Sequence, residues 1–133
     1  MTLFDEIEPT RRAVEKIKSL PADQPLCIVS LLRLRTDLAD GRAEAAWEQW
    51  QRGIQPVLRE YGVEQLMLGE MLFDMVGAGG WDHVGVYRYP NPIVFWRFMS
   101  DERVVDLLRV RRGAAEDVNM LVLRPVSFAD PAP

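Results

Sequence analysis

The chain has 133 residues, 48% of them hydrophobic, which is enough for one core and too little for two independent domains. Its formal charge of −4, from 20 Asp and Glu against 16 Lys and Arg, argues against nucleic acid as a partner, because backbone binding needs clustered, unbalanced cations to displace counterions. One cysteine, Cys27, and one histidine, His83, leave no internal disulfide and no zinc-ligand spacing, so a reducing, cytoplasmic setting is expected, with no metal or other cofactor.

The N-terminal MTLFDEIEPTRR carries acids and an early proline instead of a basic stretch followed by an apolar one, and no apolar run approaches ~20 residues, so neither export nor membrane spanning is expected. From Pro9 to Leu20, Val14, Ile17 and Leu20 recur at helical spacing against Arg11, Arg12, Glu15 and Lys18. That spacing predicts a short amphipathic helix with Pro9 near its first turn and Pro21 as its stop. After the linker PADQP, the aliphatic stretch Leu26 to Leu34, with β-branched Ile28 and Val29, predicts the first strand, in which Cys27 is a small buried hydrophobe. TDLADGR turns through Asp40-Gly41. Arg42 to Tyr61 then brings Ala46, Trp47, Trp50, Ile54 and Leu58 near one helix face, and Gly62 stands where a left-handed C-cap belongs.

From Val63 to Val76 the pattern loosens to period two, with Met67, Gly69, Met71, Phe73 and Met75 on one side of a predicted strand. GAGG at Gly77 to Gly80 makes a turn, and such a short connection predicts an antiparallel hairpin with the strand Trp81 to Tyr89. Asn91 is placed to cap a helix from Pro92 through Phe95, Trp96 and Met99, resuming after Ser100 and Asp101 towards Ala115. The RVRR run at Arg109 to Arg112, flanked by Asp106, Glu116 and Asp117, reads as a solvated helix face. Asn119 to Val126 is the last predicted strand, and the ADPAP tail is expected to fray.

Without the first helix the order is β-α-β-β-α-β, an α+β, ferredoxin-like arrangement with a four-stranded antiparallel sheet and both helices on one face. The domain is expected to span residues 25–128, preceded by a helical extension over 1–24 and followed by a disordered tail over 129–133. The free sheet face calls for a second sheet, which makes a homodimer the expected state.

SLLRLR at Ser30 to Arg35, the helix EAAWEQWQRGIQPVLREYG, the strand WDHVGVYRYPNP and the segment RRGAAEDVNMLVLRP stand at familiar spacings. Together, over about Leu26 to Pro125, they resemble domain-of-unknown-function family 1330 of the dimeric α/β-barrel superfamily. The most specific elements are Trp81, Asp82, Tyr89 and Pro90, followed by Arg-x-Ala-Ala-x-Asp at Arg112 to Asp117. Ser30 stands where the family commonly has Asn, and Leu34 where it has Phe. The resemblance implies the dimeric ferredoxin-like fold. It also implies a superfamily of cofactor-free monooxygenases, isomerases, haem enzymes and ligand-binding modules, so the fold does not select the function.

Alternation on the strand Trp81 to Tyr89 sets Asp82, Val84, Val86 and Arg88 apart from Trp81, His83, Gly85, Tyr87 and Tyr89. Val84 and Val86 suit helix packing, so the His83, Gly85, Tyr87 face is expected to look into a cavity or at the partner sheet, with Gly85 leaving room. His83 is the natural proton carrier at neutral pH and Tyr87 lies two residues along the same face, a candidate catalytic pair; the alternative is a structural histidine. Ser30 is the one mid-strand polar residue of the first strand, read as a hydrogen-bonding group and not a nucleophile, since no G-x-S-x-G elbow surrounds it. Arg33 and Arg112 are candidates to hold a carboxylate or enolate, with Asp82 and Asp117 as rival ion-pair partners. Trp81 and Met71 complete the candidate substrate-binding set, Met71 as part of a soft apolar wall.

These residues point to a cofactor-independent enzyme of isomerase, cyclase or monooxygenase type, acting on a largely apolar molecule with an ionisable oxygen and suited to secondary metabolism. The alternative is a noncatalytic dimeric small-ligand-binding or accessory protein, whose pocket recognises the same sort of molecule without transforming it. In either case the expected partners are a small ligand and a second copy of the chain, with neither nucleic acid nor membrane.

Overall fold

The computed structural model describes residues 10–126. Pro9, expected in the first turn, and the ADPAP tail lie outside the described residues. Helix α1, Arg11–Lys18, opens on Thr10, whose side chain accepts the Ala13 N–H (3.1 Å) and so satisfies one of the four free amides of a helix start. Strand β1 is Leu26–Leu34 and helix α2 is Arg42–Glu60. Gly62 ends that helix in the left-handed region at φ 69°, as its position after the last apolar residue predicts. Strand β2, Glu64–Glu70, and strand β3, His83–Tyr89, precede helix α3, Pro92–Ser100, whose first turn is capped by Asn91 accepting the Val94 N–H (2.9 Å). Helix α4, Glu102–Ala114, is capped by Asp101, and strand β4, Ala115–Leu123, follows it directly.

The sheet order is β2-β3-β1-β4 with every neighbouring pair antiparallel. With α2 on one crossover and α3–α4 on the other, this is the β-α-β-β-α-β ferredoxin-like fold, α+β in class. β1 is central: Ser30 sits opposite Gly85 on one side and Met120 on the other. Ile28, Leu32 and Tyr87 on the sheet meet Ile54, Phe95 and Val104 from the helices in one buried cluster. Ile54, Phe95 and Val104 are almost wholly buried, each contributing about 1.5–3 kcal/mol. Gly53 lets α4 close on α2, since a Cβ there would stand 2.5 Å from Leu107 Cδ2. Helix α1 docks on α3, with Ile17 buried and the Lys18 ammonium 3.6 Å from the centroid of the Trp96 ring. Among the described residues no helix is long and apolar enough to cross a membrane.

Several boundaries differ from the sequence expectation, among them the end of β4 at Leu123 instead of Val126. The strand expected over Val63 to Val76 stops at Glu70, and its partner begins at His83 instead of Trp81. The backbone bond from Met71 N–H to the Asp82 carbonyl (2.9 Å) closes the hairpin, and Arg33 then draws the carbonyls of Gly79 and Gly80 towards β1. A long loop over residues 71–82 thus replaces the tight GAGG turn, with Gly77 and Gly80 at positive φ. Strand β4 starts at Ala115, not Asn119, because the helix passes into the sheet without a loop and the Arg35 N–H bonds the Ala114 carbonyl at the junction.

The two faces of β3 are sorted as alternation requires but lie on the opposite sides from those expected. Gly85, Tyr87 and Tyr89 are buried beneath the helices. Val84 and Val86, expected under the helices, stand on the open face beside Val29, Leu31 and Leu121. Both sets are apolar, and the larger aromatic pair removes more area from water when it faces the helices.

Candidate functional site

Two spaces flank Trp47. The first is a crevice between the sheet and the helices, lined by Ser30, Gly85, Tyr87 and Met120 from the strands and by Trp50 and Arg111 from the helices, among others. Its free volume is about 30 Å³, room for one or two waters, because the aromatic side chains fill most of the space they enclose. The second is an open cleft of about 350 Å³, lined by Glu44 and Glu48 of α2, Glu70 and Met71 at the end of β2, and Asp82 and His83. Trp47 belongs to both walls.

His83 lies in the cleft, its ring stacked on Trp47 with centroids 4.5 Å apart and planes 15° from parallel. Burial against the indole pulls the imidazole pKa below its ordinary value, while Glu70, Asp82 and Glu44 pull less strongly the other way. The neutral ring, able to accept a proton, is therefore the form present at neutral pH. Asp82 is not a free acid beside it: its carboxylate accepts the Leu34 N–H (2.7 Å) and its own N–H donates to the Leu32 carbonyl (2.8 Å).

Tyr87 lies in the crevice, its ring folded back over Gly85. A Cβ at position 85 would stand 2.8 Å from the Tyr87 hydroxyl, so the glycine is what lets the phenol lie on the sheet. Gln65 Nε2 donates to the Tyr87 hydroxyl (3.3 Å) and to Gln51 Oε1 (3.2 Å), and Gln55 Nε2 donates to Gln65 Oε1 (3.2 Å). With its oxygen already accepting, the phenol keeps its own O–H to donate. Gln51 Nε2 is buried without a hydrogen-bond partner among the described residues, so this amide cluster is short of one acceptor.

Arg111 is the residue that sequence reasoning missed. Expected on a solvated helix face, it is 4% exposed, its guanidinium carbon 5.0 Å from the centroid of the Trp50 ring and Nη2 3.9 Å from Met120 Sδ. The signal was present: Val104, Leu108 and Arg111 share one helix face, and both apolar members are buried. Deep burial pushes the Tyr89 phenol well above the ordinary tyrosine range; neighbouring Tyr87 adds to the shift and Arg111 opposes it, so Tyr89 stays a neutral phenol.

The structure divides the predicted site residues. Ser30 and Tyr87 share the crevice, while His83 and Met71 share the cleft on the far side of Trp47. Arg33 and Trp81 join neither space. Arg33 donates to the Gly79 carbonyl (2.7 Å), pairs with Asp117 (3.8 Å) and lies 5.0 Å from the centroid of the Trp81 ring, so both residues secure the 71–82 loop. Arg112 lies in a separate open groove with Arg35, Asp37 and Glu116. Among the described residues no three His, Cys, Asp or Glu side chains converge as a metal site.

Comparison with solved structures agrees with this architecture. The RPA0582 protein of unknown function from Rhodopseudomonas palustris superposes with a TM-score of 0.81 at 23% identity, covering 92% of this chain and 98% of that one. A hydroxynitrile lyase from Passiflora edulis gives a TM-score of 0.64 at 14% identity, over 80% of this chain and 99% of its own. A dimeric protein of unknown function and ferredoxin-like fold from Bacteroides fragilis gives 0.60 at 10% identity, over 78% and 99%. These likenesses show the fold. No protein-family model and no curated protein matches the chain, so the resemblance to family 1330 rests on the quoted motifs alone.

Proposed function

We propose that this ferredoxin-like chain is the protomer of a homodimer that binds a small, largely apolar molecule bearing an acidic oxygen in the crevice between sheet and helices. The observation that carries the proposal is the crevice wall: apolar and aromatic except for a few hydrogen-bonding groups, with the Tyr87 hydroxyl and the Arg111 guanidinium on one lining. A phenol donor and a planar, permanently charged fork suit a carboxylate, phenolate or enolate, and apolar walls with few polar groups are the common make-up of small-molecule sites. Entry requires the crevice to widen, and unbranched Met99 and Met120 on its lining are the side chains best able to yield. The dimer is supported by the open sheet face, on which Val29, Leu31, Val84, Val86 and Leu121 form an apolar strip, and by the dimeric state of the Bacteroides fragilis protein of the same fold.

A second reading makes the protein a cofactor-independent enzyme of isomerase, cyclase or monooxygenase type. It is favoured by the neutral imidazole of His83 at the mouth of an open cleft. There His83 is the proton acceptor for a substrate bound in the cleft, apart from the Tyr87 and Arg111 donors of the crevice. The hydroxynitrile lyase of the same fold supports catalysis as something this architecture can host.

The experiment is a binding and turnover panel of benzoate, a phenol and an aromatic hydroxynitrile, followed by thermal shift and product analysis. Wild-type stabilisation that is lost in Arg111→Met and Tyr87→Phe supports the crevice. Product formation that is lost in His83→Gln supports the enzyme. No stabilisation by any probe, or stabilisation indifferent to Arg111 and Tyr87, overturns the crevice reading.

A further inference from the structure

The loop 71–82 carries a dense group of exposed apolar side chains: Leu72 is 90%, Phe73 71%, Met75 87% and Val76 91% exposed. A contiguous patch of this kind marks an interaction surface more often than an accident of the surface. The loop is also held in place. Met71 and Asp82 bond across its base, Asp82 is tied to Leu32 and Leu34, and Arg33 grips the carbonyls of Gly79 and Gly80 while stacking near Trp81. A loop fastened at its base with its apolar tip in water is built to reach something.

We propose that residues 71–82 form an arm that closes on a second copy of this chain, with Leu72, Phe73, Met75 and Val76 packed against the partner. The inference rests on the sheet-to-sheet dimer proposed above and adds an element to it. Continuity identifies the occupant. Arg33 and Asp117 face each other on the open sheet face, and Arg33 is the residue that holds the arm, so a sheet laid on that face abuts the arm's base. A two-fold axis gives both arms the same contact, which makes a reciprocal clasp. A lipid surface fits less well: Asp74 is the only charged residue between Met71 and Trp81, and peripheral membrane segments commonly pair apolar residues with Lys and Arg.

The test is sedimentation of the full chain across a dilution series for wild type, Phe73→Asp and Val86→Asp, with circular dichroism to confirm folding. A photo-reactive benzoylphenylalanine introduced at position 75 reports the contact directly. The expected result is a wild-type dimer that Val86→Asp abolishes and Phe73→Asp weakens on the order of 30-fold or more, with covalent dimers on irradiation at position 75. Unchanged dimerisation of Phe73→Asp, with Val86→Asp monomeric, overturns the arm and leaves the sheet dimer standing. A monomeric wild type, or a Val86→Asp protein that still dimerises, overturns both. Flotation of wild type with phosphatidylcholine and phosphatidylserine vesicles, lost in Phe73→Asp, overturns the choice of occupant.

Discussion

The imidazole of His83 lies flat on the indole of Trp47, 4.5 Å between centroids, and Trp47 is also the wall between the cleft that His83 occupies and the crevice that holds Tyr87. The stacking both buries the histidine and keeps it apart from its expected partner.

Its titration follows from that burial. The His83 midpoint is expected below the ordinary 6.5, read as the ring-proton shifts of the sole histidine. As pH falls, the unfolded chain takes up the proton first, so the stability linked to His83 is complete above about 6.5 and is lost as pH falls through the window beneath it. Melting temperatures of wild type and His83→Gln between about pH 7.5 and 5 should therefore converge at the acid end. Trp47→Leu should move the midpoint up towards 6.5, and a wild-type midpoint above 6.5 would contradict the burial account.

Gly85→Ala tests the seat of Tyr87. The added methyl meets the phenol ring and hydroxyl at 2.8 Å, so the ring must swing off the sheet and leave Gln65. Overpacking of this kind costs about 1–3 kcal/mol. Denaturant unfolding gives the loss, and a changed environment of the Tyr87 ring signals in NMR gives its cause. A Gly85→Ala protein as stable as wild type, with those signals unmoved, refutes the close approach.

Asp101 joins two helices and the loop after α2. Its carboxylate accepts from the Arg103 side chain and backbone and from the Tyr61 hydroxyl (2.8 Å). The bonds from Arg103 lead, with Tyr61 helping, in holding its pKa far below the carboxylate range. Asp101→Ala should destabilise by about 1–2 kcal/mol through the lost helix cap, and Asp101→Asn by less. The charged form carries the stability, so the gap between wild type and Asp101→Asn should hold above about pH 4 and shrink as pH falls further, which urea titrations at each pH will read.

Ile17→Ala tests whether α1 belongs to the domain. Ile17 is the buried residue of this helix, and its truncation should cost about 2–4 kcal/mol if α1 unfolds with the rest. Faster amide exchange confined to residues 11–18, with unchanged global stability, would instead make α1 an independent appendage.

Local chemistry was legible where neighbours in sequence decide the outcome. β1 has its expected bounds, α2 ends one residue early, and the Asn91 and Gly62 caps lie where predicted, because caps and amphipathic periods depend on residues within one or two turns. The 71–82 loop was not legible, since its course is set by Arg33, some forty-six positions earlier, drawing on Gly79. Gln51, Gln55 and Gln65 form one amide cluster that no local spacing reveals.

The sequence by itself determined the element order, the antiparallel hairpin and which residues of β1 and of β3 share a face, because side-chain alternation and hydrogen-bonding direction are properties of the chain. Only the tertiary structure decided which face meets the helices. Val84 with Val86 and Tyr87 with Tyr89 are both apolar sets, so burial favours either until the helices are docked, and that docking also carries Arg111 inward and leaves His83 on the other side of Trp47.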